Sequence, residues 1–306
     1  MARRWTSAAR SSVPYSPAGE GKAVASKGAG LPKRPAGPLL SVVLGSYNRQ
    51  PFLQAAIDSV RSNCAGTPHE MIVIDGGSTD GSVEWLVSQK DILTIVQHNR
   101  GEFLGKPIAR RSWGYFMNIG FKAAQGDWIL MISDDCLLLP GSVGASLDNA
   151  RVAGASGRKV GGVAYFFRNW PMEPSYYVQE TLGGRLMVNH GLFAREALEA
   201  VGYANENDYA FYKADGDLSL RIWEAGFEII PAASSFVEHY LDEQEVVRQS
   251  NNAMLDRDRA TYQLRWRHLA GRPNRVVSAH TPGPQLAEQV FGGIRAASRR
   301  AELSRN

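Results

Sequence analysis

The stretch Trp128-Ile129-Leu130-Met131-Ile132-Ser133-Asp134-Asp135-Cys136-Leu137-Leu138-Leu139-Pro140-Gly141 sets two adjacent acids between two apolar runs. Five apolar residues in a row suit a strand buried on both faces, and Pro-Gly closes the second run as a turn. Two ionised carboxylates at the exit of such a strand repel each other and lose hydration, so they require hydrogen bonds or a cation. Oxygen ligands in this position suit Mn²⁺ or Mg²⁺, hard ions that bridge a few carboxylates to substrate phosphates. An Asp-Asp turn that simply ends the strand is the other reading of the same residues.

Upstream, the apolar run over 39–44 predicts a buried parallel strand, and a helix over 51–61 follows with Pro51 in its first turn. Residues 71–74 form a second strand ending at Asp75; the turn Gly76-Gly77-Ser78-Thr79-Asp80-Gly81 then leads to a helix from Ser82. A third strand is predicted over 92–96 and a helical stretch over 108–125. This alternation predicts an α/β fold, a doubly wound, mostly parallel sheet with helices on both faces. Ligands of such sheets bind at the carboxyl ends of the strands, so Ser46, Asp75 and Asp134 are expected at one crevice. The second half reads less regularly. Strands are predicted over 160–167, 228–230 and 236–237, short helices over 194–201 and 217–224, and a helix or helix pair over 243–268.

Composition narrows the class. The 306 residues are 44% hydrophobic, enough for a substantial core. The net charge of +4 is unevenly placed, since residues 1–38 hold seven basic side chains and a single acid, Glu20. The rest of the chain is therefore slightly acidic, which argues against nucleic-acid binding. Cys64 and Cys136 are the only cysteines and show no zinc spacing, so Cys136 reads as a small apolar filler. No signal-peptide core and no uncharged apolar run of membrane-spanning length occurs, and the expectation is a cytoplasmic protein. Peripheral contact with the inner membrane face through the basic arm or the C-terminal stretch stays open. The expected organisation is a disordered basic arm over 1–38, a catalytic domain over 39–242 and a helical extension with a basic tail over 243–306.

The order of motifs resembles family 2 glycosyltransferases of the GT-A fold. The resemblance begins with Ser46-Tyr47-Asn48-Arg49 and Val73-Ile74-Asp75-Gly76-Gly77-Ser78. It continues through Asn118-Ile119-Gly120, Gly126-Asp127-Trp128, Ser133-Asp134-Asp135 and Pro140-Gly141, then Asp215-Gly216-Asp217-Leu218 with Arg221, and finally His239. Such a protein moves a sugar from a nucleotide-diphosphate donor to a hydroxyl, here of a glycan or lipid-linked saccharide. The resemblance implies that Ser46, Asn48, Arg49, Asp75 and Asp134 bind the donor, with Asp75 reading a uracil or thymine and thereby favouring UDP- or dTDP-sugars. It implies that Asp135 and His239 hold Mn²⁺ or Mg²⁺ and that Asp215 is the base of an inverting reaction. Asn189 and His190 match a region facing the acceptor.

Three positions depart from the family pattern: Gly76 and Ala214 stand where a second acid is common, and Ile132 where a further Asp or Asn is common. These departures motivate a rival reading, a degenerate module that binds nucleotide sugar without turnover. An Asx-turn or helix cap is the alternative role for Asp75. Asp217 reads as a helix-start residue. Arg110 and Arg111 face either phosphate or solvent.

Overall fold

Side chains that alternate along the central strands feed two separate cores, one on each face of a sheet. The computed structural model describes residues 40–241, 249, 251–280 and 285–304; the basic arm and residues 243–248 of the predicted helix lie outside them. On β1 (Leu40–Ser46), Leu40, Val42 and Leu44 enter one core and Val43 the other. On β2 (His69–Asp75), Met71 and Val73 take the first side, Ile72 and Ile74 the second. This period-2 partition is why the strands read as continuous apolar runs.

The first core is covered by α1 (Gln50–Asn63), which buries Leu53, Ala56, Ile57 and Val60 at helical spacing. Leu86 of α2 (Ser82–Ser88) joins it. Strand β3 (Ile92–Val96) lies at the sheet edge beside β2 and has the predicted bounds. A small hairpin, β4 (Glu102–Phe103) and β5 (Lys106–Pro107), comes next. The helix predicted over 108–125 is shorter, α3 (Trp113–Ala123). Ser112 caps it by accepting the Tyr115 N–H at 3.0 Å, and the chain before it is engaged in the return from the hairpin. A Cβ on Gly120 would lie 2.5 Å from Val43 Cγ1, so α3 approaches the sheet at a spacing that only glycine permits.

Strand β6 (Trp128–Met131) runs parallel to β1 and delivers the acidic pair. It is followed by β7 (Cys136–Leu138) and α4 (Ser142–Ala155). The order β3-β2-β1-β6 is the parallel unit expected from the sequence.

Beyond β6 the sheet becomes mixed. Strands β8 (Val160–Trp170), β9 (Tyr177–Glu180) and β10 (Gly191–Ala194) extend it, with β10 antiparallel to both β6 and β8. Helices α5 (Arg195–Ala200) and α6 (Ala214–Glu224) add Leu198, Leu218 and Ile222 to the second core. The two short strands predicted around 228–237 are one long strand, β11 (Glu228–Tyr240). A register shift between Ala232 and Phe236 divides its pairing with β8, which explains the break in the sequence pattern.

The C-terminal extension is not wholly helical. Helix α7 (Leu255–Arg265) is followed by β12 (Asn274–Val277), an added edge strand paired with β9, and then by α8 (Gln285–Leu303). Ala287 and Phe291 of α8 are fully buried, and the Phe291 ring lies 5.9 Å from Phe52 and 5.7 Å from Trp170. Burying that one side chain stabilises the attachment by about 1.5–3 kcal/mol.

Candidate active site

Four strand ends meet at a cleft of about 400 Å³. Ser46 and Arg49 reach it from the end of β1, and Asp134 and Asp135 from the end of β6. Asn189 and His190 enter ahead of β10, Asp215 from the first turn of α6, and His239 from β11. Eight of the ten residues singled out in the sequence thus share one cavity.

The other two stand behind its wall. Asp75 is fully buried, and its carboxylate is engaged by its own turn: Oδ1 accepts the N–H groups of Gly77 at 2.8 Å and Ser78 at 2.7 Å, and Oδ2 accepts the Ser78 hydroxyl at 2.7 Å. That is the Asx-turn geometry, the alternative role read from the sequence; Oδ2 holds a single donor, and Gly76, next in the chain, lines the cleft. Asn48 has the left-handed φ of 52°, accepts the Thr79 N–H on Oδ1 at 2.7 Å and donates its backbone N–H to Ser78 Oγ at 2.8 Å. It laces the β1 turn to the β2 turn. Asp80 continues the lacing by accepting the Gln50 N–H at 2.8 Å, where α1 begins.

Asp134 and Asp135 are both buried, and one nitrogen of Arg49, Nη1, donates to Asp134 Oδ1 at 3.2 Å and to Asp135 Oδ2 at 2.6 Å. Burial pushes the Asp134 carboxyl up to about 6, against the pull of Arg49 and with the push of Asp135. The cation that the pair faces among the described residues is Arg49. His239 Nε2 lies 3.5 Å from Asp135 Oδ1, while its Nδ1 is tied to Asn169 Oδ1 at 2.6 Å, which fixes the ring. His239 and Asn169 are register partners on β11 and β8, so sheet pairing alone sets that contact.

Donor atoms of Asp135, Cys136 and His239 lie within 4.8 Å of one another. Carboxylate oxygen and imidazole nitrogen fit Mn²⁺. The Cys136 thiol is fully buried and pushed well above its usual pKa by burial, which agrees with its reading as an apolar filler. The residues present thus fit a hard divalent ion through Asp135 and His239.

Asp215 starts α6 after Lys213, whose positive φ of 69° turns the chain into the helix. Oδ1 accepts the Gly216 N–H at 2.8 Å and Oδ2 the Asn189 amide at 3.1 Å. Part of the residue stays open to the cleft, yet crowding around the carboxyl raises its pKa above the carboxylate range, offset in part by Gly216 and Lys213. The Asn189 Oδ1 atom is buried and has no hydrogen-bond partner among the described residues. His190 is pushed down to about 3 by burial and by His239, so its ring is neutral beside Cys136 Sγ at 3.7 Å.

Asp217 is not in the cavity. It is fully buried, accepts from Tyr209 and Trp266 on Oδ1 and from Arg221 on Oδ2, and pairs with Arg265 Nε at 3.0 Å, joining α6 to α7. Its role as a helix-start residue understates it, because the partners lie up to 49 positions away. Arg110 and Arg111, read from the sequence as facing phosphate or solvent, both line the cavity, as does Arg100, which carried no sequence signal. Arg100 and Arg110 both donate to Asn251 Oδ1, and Arg100 lies over the Tyr47 ring at 5.4 Å.

The architecture is a GT-A fold, with the cleft at the carboxyl ends of β1 and β6. Residues 41–194 match the family described as Glycosyl transferase family 2, and the chain belongs to that family. A PGL/p-HBAD biosynthesis glycosyltransferase of Mycobacterium tuberculosis is 33% identical over 104 residues, 33% of this chain and 36% of that one. An undecaprenyl-phosphate 4-deoxy-4-formamido-L-arabinose transferase of Aeromonas hydrophila is 32% identical over 101 residues, 32% of this chain and 29% of that one. The matched stretch spans about a third of the length of these relatives. Among solved structures, a mannosyltransferase from Pyrobaculum calidifontis in complex with GDP-Man and Mn²⁺ aligns with a TM-score of 0.53 at 16% identity. The alignment covers 77% of this chain and 66% of that one.

Proposed function

We propose that the chain transfers a sugar from a nucleotide-diphosphate donor to an acceptor hydroxyl with inversion at the anomeric carbon, Asp215 acting as the base. The observation that carries this reading is the placement of the Asp215 carboxylate in the same cavity as the Asp134–Asp135 pair. Each Asp215 oxygen holds one donor, and a carboxylate oxygen has two lone-pair sites, so acceptance from a hydroxyl remains open to it. The Asn189 amide and the Gly216 N–H fix the plane of the carboxylate. Asp215 takes the acceptor proton as the hydroxyl oxygen bonds to the anomeric carbon and the bond to the nucleoside diphosphate breaks on the opposite face. A divalent ion held by Asp135 and His239 supplies positive charge to the leaving diphosphate.

The preference for uridine or thymidine rests on Asp75, which stands behind Gly76 of the cleft wall with a single donor on Oδ2. Asn99, which lines the cleft, is a further candidate for contact with the base. A lipid-linked acceptor is supported by the undecaprenyl-phosphate in the name of the Aeromonas relative. No helix among the described residues is long and apolar enough to cross a membrane, so contact with such an acceptor would be peripheral.

The test is a panel of UDP-, dTDP- and GDP-sugars followed by released nucleoside diphosphate, with Mn²⁺ and with chelator. One donor should give turnover that chelator suppresses. Silence across the panel, with donor binding retained in calorimetry, would replace catalysis with the binding-module reading.

A further inference from the structure

Arg49 places a single guanidinium nitrogen against both members of the acidic pair, at 3.2 and 2.6 Å, with the three side chains 14%, 7% and 5% exposed. Two carboxylates this far from water need a positive charge between them, and the chain provides its own. A divalent ion held by Asp135 and His239 would face that guanidinium across the Asp135 carboxylate, and the two cations repel. The Arg49 backbone cannot retreat. It caps α1 with non-helical φ and ψ of −140° and 38°, Asn48 before it is laced to Ser78 and Thr79, and Gln50 after it is held by Asp80. The side chain can swing, because several rotatable bonds separate the guanidinium from that anchored backbone.

We propose that Arg49 is a built-in counter-ion of the acidic pair that competes with the divalent ion for Asp135, and that a nucleoside diphosphate draws it off, so that metal and donor bind cooperatively. This rests on the metal-dependent reading given above. The planar guanidinium matches a diphosphate in two-point geometry, so the anion that arrives with the donor is a suitable second partner for it. Metal alone must expel Arg49 into a place with no anion, and nucleotide alone must draw it from an uncompensated acidic pair. Together they satisfy all the charges, and by linkage each strengthens the other by the same factor.

The experiment follows free Mn²⁺ by its paramagnetic resonance during titration of the wild type and of Arg49→Gln, without nucleotide and then with UDP or GDP. Wild type should bind Mn²⁺ weakly alone and about tenfold or more tighter with the nucleotide that the site accepts. Arg49→Gln should bind Mn²⁺ alone about tenfold tighter than wild type, and nucleotide should then add little. Arg49→Lys, which keeps the charge, should stay near wild type for Mn²⁺ alone. If Arg49→Gln and wild type bind Mn²⁺ equally, the competition is absent and this inference falls while the metal reading stands. If neither binds Mn²⁺ with or without nucleotide, the metal reading falls first. Should Arg49→Gln not fold, equal affinity of wild type for Mn²⁺ with and without both nucleotides overturns the proposal by itself.

Discussion

The β1–β2 wall of the cleft and the α6 wall both carry carboxylates at the start of a turn or helix, but they treat them differently. On the first, Asp75 is surrounded by three donors from its own turn, and Asn48 and Asp80 bind neighbouring backbone as well. On the second, Asp215 has one donor on each oxygen and keeps contact with the cavity, while Asp217, two residues on, takes three donors and the ion pair with Arg265 and none of the cavity. A carboxylate held by three or more partners shapes the backbone around it. An under-coordinated one with a raised pKa retains the capacity to accept a proton. The difference separates the residues that build this cleft from those that can react in it.

Substituting the two acids of α6 breaks the comparison most sharply. Asp215→Asn should lower kcat by about 10²–10⁴-fold, the range typical of losing a general base, with donor affinity kept. Steady-state transfer assays beside calorimetric donor binding measure both. Equal turnover in the variant would remove Asp215 as the base. Asp217→Asn should do the reverse. It leaves Arg221 and Arg265 facing a neutral group in a buried network, an expected loss of about 3–5 kcal/mol in denaturant unfolding, with activity per folded molecule retained. A stable but inactive Asp217→Asn would mean that the two roles are exchanged.

The same contrast explains what could be read from sequence. The parallel unit β3-β2-β1-β6 was legible because strands buried on both faces are unbroken apolar runs, and the acidic pair stood out against them. Strands β9 and β10 were not, since four-residue segments such as Gly191–Ala194 carry no period and are fixed by their neighbours in the sheet. Helix α8 was hidden by Gly292, Gly293 and the Pro-rich approach, although Leu286, Ala287, Val290, Phe291 and Ile294 follow helical spacing. At the site, the cavity residues were found through motif order. The Asx-turn at Asp75 was open in the sequence, and the bonds from Gly77 and Ser78 show that the turn forms. The meeting of Arg49 with Asp134 and Asp135 joins positions 85 and 86 residues apart, and no local pattern encodes that.

The smallest effect concerns pH, and it sharpens the comparison because activity and stability should move in opposite directions. The Asp215 carboxyl is held above the ordinary carboxylate range by burial, so the base loses its charge at a higher pH than a free Asp would. The acid limb of kcat/KM should therefore lie above the value of about 3.9 for free Asp. Stability runs the other way. A group whose folded pKa is raised favours the folded state in its protonated form, so its contribution is full below the unfolded pKa and fades as pH rises through the folded one. Asp215→Asn, which does not titrate there, should melt like wild type at the acid end and gain on it as pH increases. Asp134, pushed up to about 6, adds a second proton to the wild-type limb, which the variant retains. His190 shifts the other way: pushed down from 6.5 to about 3, its ring is neutral where a free imidazole charges. It adds nothing to the acid limb of kcat/KM but costs stability as pH falls below 6.5, and His190→Gln should leave that limb in place while removing this acid loss. A melting difference between wild type and Asp215→Asn that stays constant across this range would mean that the Asp215 carboxyl titrates alike in the folded and unfolded chain, and the contrast between the two walls would lose its electrostatic half.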